Sequence, residues 1–337
     1  MATLSDVAAL AGVSISAVSR VLSDAPATRV RPETRERIHA AARELGYRPN
    51  FAGRALKLAR SNVIALVVPD LTNAVFTELM HGVQEGARRH DYMVLLGNTE
   101  DLHPDADVME RLIGEGRVDG MLVQLGSDAS PAGIKAVLDS KAPVVFINSI
   151  EPGHVGAVAL DDEAGARVAT EHLIALGHTR IGLAGGRAAS FTAQRRERGF
   201  RAAMTDASLP VADAQVTSFG YLPADGRAAL RALMALPEPP TALVVANVNA
   251  AIGALAEARA LRIRIPEQLS VVAMHDAWTA ENTWPPLTTV RMPLRQLGRR
   301  AVESLFVRLH GGGLGDIVVS DPAPELVTRE STAERRR

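Results

Sequence analysis

The chain has 337 residues, 47% hydrophobic and 22% charged, with no cysteine and a formal net charge of −1. That length suits a short module plus a large domain, or three domains, with apolar side chains enough for a sizeable core. The missing cysteine excludes disulfides, thiolate nucleophiles and zinc–cysteine sites; no apolar run reaches the roughly 18 residues of a membrane span, and the opening MATLSDVAAL lacks the basic-then-apolar order of a secretory signal. The charge is uneven. Residues 1–60 hold ten Lys/Arg against five Asp/Glu, net +5, and the remainder holds 27 against 33, net −6. An anionic partner for the first segment is expected.

TLSDVAALAGV predicts a helix capped by Thr3 or Ser5, with Asp6 in its first turn. Leu4, Val7, Ala8 and Ala11 make its apolar stripe, and Gly12 permits a tight turn. Ser14 then caps a second helix running to Val21 or Leu22. Its Val18, Val21 and Leu22 face inward, which leaves Ile15, Ser16, Ser19 and Arg20 outside. DAPATRVRP breaks the pattern, with Thr28 to Pro32 extended or turned. A third helix starts at Pro32, carries the stripe Ile38, Ala41, Ala42 and Leu45, and ends at Gly46. Two short helices about a glycine turn, closed by a third, form a helix-turn-helix. The second helix fits a major groove about 12 Å wide, and its N-terminal N–H groups suit phosphate. On physics alone, a basic three-helix bundle also suits a protein partner. From Asn50, NFAGRALKL is a marginal helix that folds best against something else.

LSDVAALAGVSISAVSRVLSD resembles the DNA-binding domain of the bacterial lactose-repressor (LacI/GalR) family, whose pattern runs DVAxxAGVSxxTVSRVLN. The resemblance implies a helix-turn-helix domain at 1–49, a hinge helix and linker at 50–60, and operator DNA as partner. It places DNA contacts on Thr3, Ser14, Ile15, Ser16, Ser19, Arg20, Arg29, Asn50, Arg54 and Leu56. Ile15 and Ser16 fall on the base-reading pair. Leu56 falls on the leucine that wedges into the minor groove at the operator centre; its plainer role is a linker anchor. Ala17 stands where threonine is usual and Ser23 where asparagine is usual, so Ala17 removes a hydroxyl that would reach phosphate. The loop around Ala25–Arg29 is longer than in the lactose repressor.

Beyond residue 60, apolar runs such as NVIALVVPD, YMVLLGN, DGMLVQL, APVVFINS, RIGLAGG, TALVVANV and LSVVAMHD alternate with helical patterns. That is parallel α/β order, with strands buried on both faces. EHLIALGHTRIGLAGG and PPLTTVRMP resemble the same family's two-lobed, periplasmic-binding-protein-like effector domain. The implied fold is two doubly wound parallel sheets. The first lobe is expected at 61–159 and 289–328 and the second at 160–288. GLAGG lacks both the spaced dinucleotide fingerprint and the phosphate-loop lysine. No nucleophile–base pair, metal set or cofactor motif is spaced for catalysis, so no enzyme, cofactor or metal is expected. Glu171 and His172 share a helix outside any metalloprotease motif, and His154 and His275 complete no metal triad. His178, in the surface-loop pattern GHTR, is expected to be structural.

Ligands of open α/β sheets lie beyond the carboxyl ends of strands. Asn73, Phe76, Gln124 and Asn148 follow strands of the first lobe. Arg196 matches the arginine that grips effector oxygens in the family, and Tyr221 the aromatic that stacks on the ligand; a surface charge and a packed loop residue are their plainer roles. Asn247, Asn249, His275, Asp276 and Trp278 follow strands of the second lobe. Val248 replaces an aspartate common in the family, and His275 stands where a ligand-gripping aspartate is common. The expected effector is a small polar metabolite, a carbohydrate or sugar acid. A regulator with no small-molecule effector stays open. TRESTAERRR, after Val327, has no apolar heptad, so a homodimer without a tetramer helix is expected, in the bacterial cytoplasm and nucleoid-associated.

Overall fold

The structure is a computed structural model, and it describes residues 2–22, 30–48, 60–98, 112, 114–126, 143–149, 156–313 and 315–335. The chain divides into two compact units, Met1–Ser61 and Asn62–Arg337.

In the first unit, α1 spans Leu4–Ala11, α2 Ile15–Leu22 and α3 Pro32–Glu44. Thr3 and Asp6 form a reciprocal capping box, with Thr3 N–H donating to Asp6 at 2.8 Å. These two bonds and the first-turn carboxylate make an eight-residue helix worth forming. Gly12 ends α1 with a φ of +63°, a left-handed turn that glycine adopts without steric cost. The chain bends by 105° there, and Ser14 Oγ accepts the Ala17 N–H at 3.2 Å to start α2. Val7, Ala8, Ala11, Val18, Val21, Ile38, Ala41 and Ala42 fuse into one core, with Leu4, Leu22 and Tyr47 packed at its edge. Leu45, expected inside the stripe, is exposed instead: it caps the C-terminus of α3, where the stripe has turned away from the core.

In the second unit, β1 (Val63–Val68), α4 (Phe76–Arg89), β2 (Met93–Asn98), β3 (Gly120–Val123), β4 (Val144–Phe146) and β5 (Val158–Leu160) build the first lobe. The parallel order β2-β1-β3-β4 continues through a bridge from Ile147 to Val158. The helices expected over 105–118 and 131–140 fall largely outside the described residues. The second lobe begins with α5 (Asp162–Ala175), β6 (Ile181–Ala184), α6 (Phe191–Asp206) and β7 (Val216–Thr217). It continues through α7 (Pro223–Met234), β8 (Ala242–Val245), α8 (Val248–Ala260), β9 (Ser270–Met274), α9 (Trp278–Glu281) and β10 (Thr288–Arg291). Then α10 (Leu294–Leu309), β11 (Ile317–Val319) and β12 (Glu325–Val327) close the chain. The second sheet runs β12-β10-β9-β8-β6-β7, parallel except for β12.

The return to the first lobe is shorter than the sequence suggested. β10 pairs with β9 and β12 with β10, so 288–291 and 325–327 stay in the second sheet. Only α10, packed on α4, and β11, paired with β5, lie with the first. The segment after β12 straps the second lobe. Ser331 is fully buried and bonds Val271 through its backbone and its hydroxyl, at 2.8 and 2.6 Å.

Helices of the second lobe approach closely where glycine removes a side chain. A Cβ on Gly199 of α6 would lie 2.1 Å from the Glu163 carbonyl oxygen of α5. This contact holds the first turn of α5 against the middle of α6, which sets the geometry of the site below.

Candidate DNA-binding surface and ligand site

The outer face of α2 is polar and exposed. Ser14, Ile15, Ser16 and Arg20 lie open, as does Thr3 at the start of α1, while Ser19 is half-buried. Ile15 is 50% exposed although it is large and apolar, at the N-terminal end of the helix. Burial does not explain such a residue. Ser14 Oγ and Ser16 Oγ share a hydrogen bond at 3.0 Å, and Arg20 Nε donates to the Ser16 carbonyl at 3.2 Å. These contacts orient the arginine along the helix face and leave its terminal nitrogens for a partner. Arg29, Asn50, Arg54 and Leu56 lie outside the described residues.

In the second unit, one cluster forms at the carboxyl edge of the second sheet. Arg196, from the first turns of α6, is buried. Its Nε donates to Asp162 Oδ1 at 2.8 Å, and Nη2 lies 2.7 Å from the same oxygen. Nη1 donates to the carbonyl of Ala246, just past β8, at 2.5 Å. Nη2 also meets His275 Nε2, just past β9, at 2.7 Å. A guanidinium has only donors, so Nε2 accepts and the ring proton sits on Nδ1. Burial, reinforced by the Arg196 charge, pushes the His275 imidazole well below its ordinary value, so it is neutral at physiological pH. Burial also pushes the Asp162 carboxyl up, and Arg196 opposes it. Burial wins, so the net direction is upward, while the permanently charged guanidinium at hydrogen-bond distance is what favours the carboxylate form there. Asp162 Oδ2, His275 Nδ1 and Arg195 Nε are buried with no hydrogen-bond partner among the described residues. They are one acceptor and two donors that the fold leaves unpaired.

Tyr221 lies beside this cluster, its ring 5.9 Å from the Arg196 guanidinium carbon. Its hydroxyl shares hydrogen bonds with Ser190 and Thr192, each at 2.8 Å, and its ring fills the space a Gly186 side chain would take. Arg195 pairs with Asp161 at 3.2 Å, a second matched charge next to the first.

The other expected ligand residues divide by what already occupies them. Asn73, Asn148 and Asn247 are buried, and their side-chain oxygens accept from the Val75, Leu160 and Ala250 amides at 3.1, 2.9 and 2.8 Å. Asn73 and Asn247 shape strand-to-helix turns, and Asn148 ties the end of β4 to β5. Phe76 belongs to the first-lobe core. Asp276 is a tie within the second lobe: Oδ1 accepts from Thr289 and Arg329, each at 2.8 Å, and Oδ2 accepts from Arg291 at 3.0 Å. Val248, expected to alter the ligand site, is buried in the core among Leu230, Val245 and Ala251. Gln124 keeps a buried, unbonded Oε1. Asn249 is half-buried on α8, and Trp278 opens α9 exposed. His178 is structural but buried rather than in a surface loop: Nδ1 meets Thr241 Oγ1 at 2.9 Å and Nε2 meets the Ala333 carbonyl at 3.1 Å. Asp162, Ser190 and Thr192 escaped the sequence reading. The acidic pair in DDEAG lies 34 residues before Arg195–Arg196, and no local spacing connects them.

Residues 3–50 match the bacterial regulatory proteins of the lacI family, and residues 170–332 match a periplasmic binding protein-like domain. The HTH-type transcriptional repressor PurR of Vibrio cholerae serotype O1 (strain M66-2) is 32% identical over 338 residues, covering 99% of both chains. The chain belongs to the LacI/GalR family. It is a DNA-binding transcriptional repressor, and its relatives are repressors rather than enzymes. Among solved structures, the lac repressor dimer bound to operator and the anti-inducer ONPF is 27% identical, with a TM-score of 0.80 over 98% of this chain and 99% of that one. The transcriptional regulator CelR in complex with cellobiose is 29% identical, with a TM-score of 0.71 over 98% of this chain and 100% of that one. Among the described residues, no single helix is long and apolar enough to cross a membrane, and no group of three or more His, Asp or Glu is arranged to hold a metal.

Proposed function

We propose that this family member represses transcription by binding a palindromic operator as a homodimer, and that a small polar metabolite, a sugar or sugar acid, modulates its affinity. The observation that carries the DNA half is the exposed face of α2, with Ile15, Ser16 and Arg20 on a basic N-terminal segment. Ile15 contacts a thymine methyl, Ser16 a base edge or phosphate, and Arg20 reads guanine or braces the backbone. One eight-residue helix reads too few bases for an operator, so two-fold pairing is expected, with half-site centres about 34 Å apart. The edge strand β2 supports pairing, since Met93 is 69% exposed and Leu95 and Leu96 lie open beside it. Residues 50–60 serve as the hinge, with Leu56 wedged between base pairs. The ligand half rests on the Arg196–His275–Tyr221 cluster, whose polar and flat surfaces suit a sugar, and on the likeness to a cellobiose complex. The ligand must favour one state of the repressor to shift DNA affinity.

A second reading, a repressor without a small-molecule effector, is favoured by Asn73, Asn148, Asn247 and Asp276 being spent on internal bonds. Sedimentation together with footprinting tests the DNA half: a dimer protecting a palindrome is expected, and a tight monomer or unprotected DNA overturns it. A thermal-shift screen of sugars and sugar acids, followed by gel shifts with each hit, separates the two readings. A ligand that binds only the folded chain raises its melting temperature by mass action.

A further inference from the structure

The ligand site is expected to use its arginine for charge, yet that charge is already matched. Arg196 places Nε and Nη2 at 2.8 and 2.7 Å from Asp162 Oδ1, and the side chains are 6% and 0% exposed. Nη1 is spent on the Ala246 carbonyl and Nη2 also on His275. Next to it, Arg195 pairs with Asp161. His275 contributes a neutral ring, because its Nε2 accepts from the guanidinium. The cluster therefore carries two cations and two anions around an uncharged imidazole. What it still offers is one buried acceptor, Asp162 Oδ2, and two buried donors, His275 Nδ1 and Arg195 Nε, the latter on a guanidinium whose charge Asp161 matches through Nη2.

An incoming carboxylate or phosphate would meet Arg196 only by displacing Asp162, and the displaced carboxylate would stay buried without its partner. Its charge would also lie beside the unbonded Asp162 oxygen. A neutral polyol meets neither cost: a hydroxyl can donate to Asp162 Oδ2 and another oxygen can accept from His275 Nδ1. We infer that Asp162 is a specificity-determining residue, which holds Arg196 neutralised so that the site selects uncharged, hydroxyl-rich ligands over their acidic counterparts. This deepens the proposed function and rests on its reading that a small ligand binds here.

The test uses the full-length protein and Asp162→Asn, which keeps the shape and the Oδ1 acceptor but removes the charge. Melting temperature and titration calorimetry are read against matched pairs, glucose with glucuronate and galactose with galacturonate, and against inorganic sulfate. Wild type is expected to ignore sulfate and both uronates at concentrations where Asp162→Asn responds. At least one anion should bind the variant about tenfold or more tighter than wild type, the factor one hydrogen bond to a charged group supplies. Arg196→Gln added to Asp162→Asn should remove the gain. Wild type binding a uronate as tightly as its neutral sugar overturns the inference, and so does a folded Asp162→Asn with no gain for any anion. Circular dichroism and operator binding establish that the variant is folded; Asp162→Ser replaces it if it is not, and the wild-type comparison needs no variant. Gel shifts keep the two readings apart. A neutral sugar that stabilises wild type but leaves operator affinity unchanged removes the effector role, while charge selection at Asp162 stands or falls on the anion data alone.

Discussion

Gly199→Ala sets two effects of opposite sign against each other. In an exposed helix interior, alanine in place of glycine stabilises by about 1 kcal/mol. Here the new Cβ would stand 2.1 Å from the Glu163 carbonyl oxygen, with the Glu163 carbonyl carbon at 2.9 Å. Backbone cannot swing aside like a long side chain, so α5 and α6 must separate. Reaching even 3.0 Å requires 0.9 Å of movement from that 2.1 Å contact. The Arg196–Asp162 bond joins the same two helices at 2.8 Å, and the same movement would stretch it towards 3.7 Å, past hydrogen-bond range. Overpacking costs about 1–3 kcal/mol, and losing a hydrogen bond to a charged group costs about 1.5–3 kcal/mol. Against the propensity gain, the net destabilisation is about 1.5–5 kcal/mol, a fall in melting temperature of roughly 3–15 °C for a unit of this size. Calorimetric melting of the full chain measures it, with Arg198→Ala, on the exposed side of the same helix, expected to change stability by less than about 0.5 kcal/mol. A Gly199→Ala variant that melts at or above wild type would refute the argument.

Arg20→Ala should weaken specific operator binding by about 1–3 kcal/mol; a panel of half-site variants checks it, and equal loss on random DNA would assign Arg20 to phosphate. Leu56→Ala should reduce operator bending and specific affinity while leaving the isolated protein's melting curve unchanged; an unchanged bend angle counts against the wedge. Asp276→Asn should remove an acid-sensitive contribution of the second lobe. Burial pushes the Asp276 carboxyl up, but hydrogen bonds from Thr289, Arg329 and Arg291 outweigh it and hold the group below its ordinary value. Its folded value is therefore lower than its unfolded one, near 3.9. The stabilisation is fully present above that pH and lost as pH falls through the folded value. The urea-midpoint gap between wild type and Asp276→Asn should hold constant above about pH 5 and close on acidification, and a gap independent of pH contradicts the tie.

The helix-turn-helix was legible because its signals are local. Thr3 and Asp6 lie three residues apart, Gly12 marks the turn, and the stripe of Val7, Ala8 and Ala11 needs only helical periodicity. The α/β alternation was legible for the same reason. The point of return to the first lobe was not. Thr288–Arg291 and Glu325–Val327 read as short strands in either lobe, and a strand's neighbour is chosen by pairing at long range, not by its own sequence.

The ligand site was half legible, and the missing half has one cause. At a strand-to-helix turn a polar side chain can cap the exposed amides or reach a ligand, and both uses favour the same residue types in the same place. Asn73 and Asn247 occupy such turns, Asn148 follows β4 beside β5, and the structure spends all three on backbone amides. Position alone therefore overstates the number of ligand contacts. Residues that carry information about the ligand are those whose polar atoms stay unbonded after the fold has taken its share: Asp162 through Oδ2, His275 through Nδ1, Arg195 through Nε and Gln124 through Oε1. Arg196 directs two of these, since it fixes the His275 tautomer and takes the other oxygen of Asp162. Replacing it alone would strand a buried carboxylate at a cost of about 3–5 kcal/mol. Arg196→Ala would thus report stability before it reported ligand binding, and Asp162→Asn, which leaves no charge unpaired in the interior except one an anion can answer, is the sharper probe of this site.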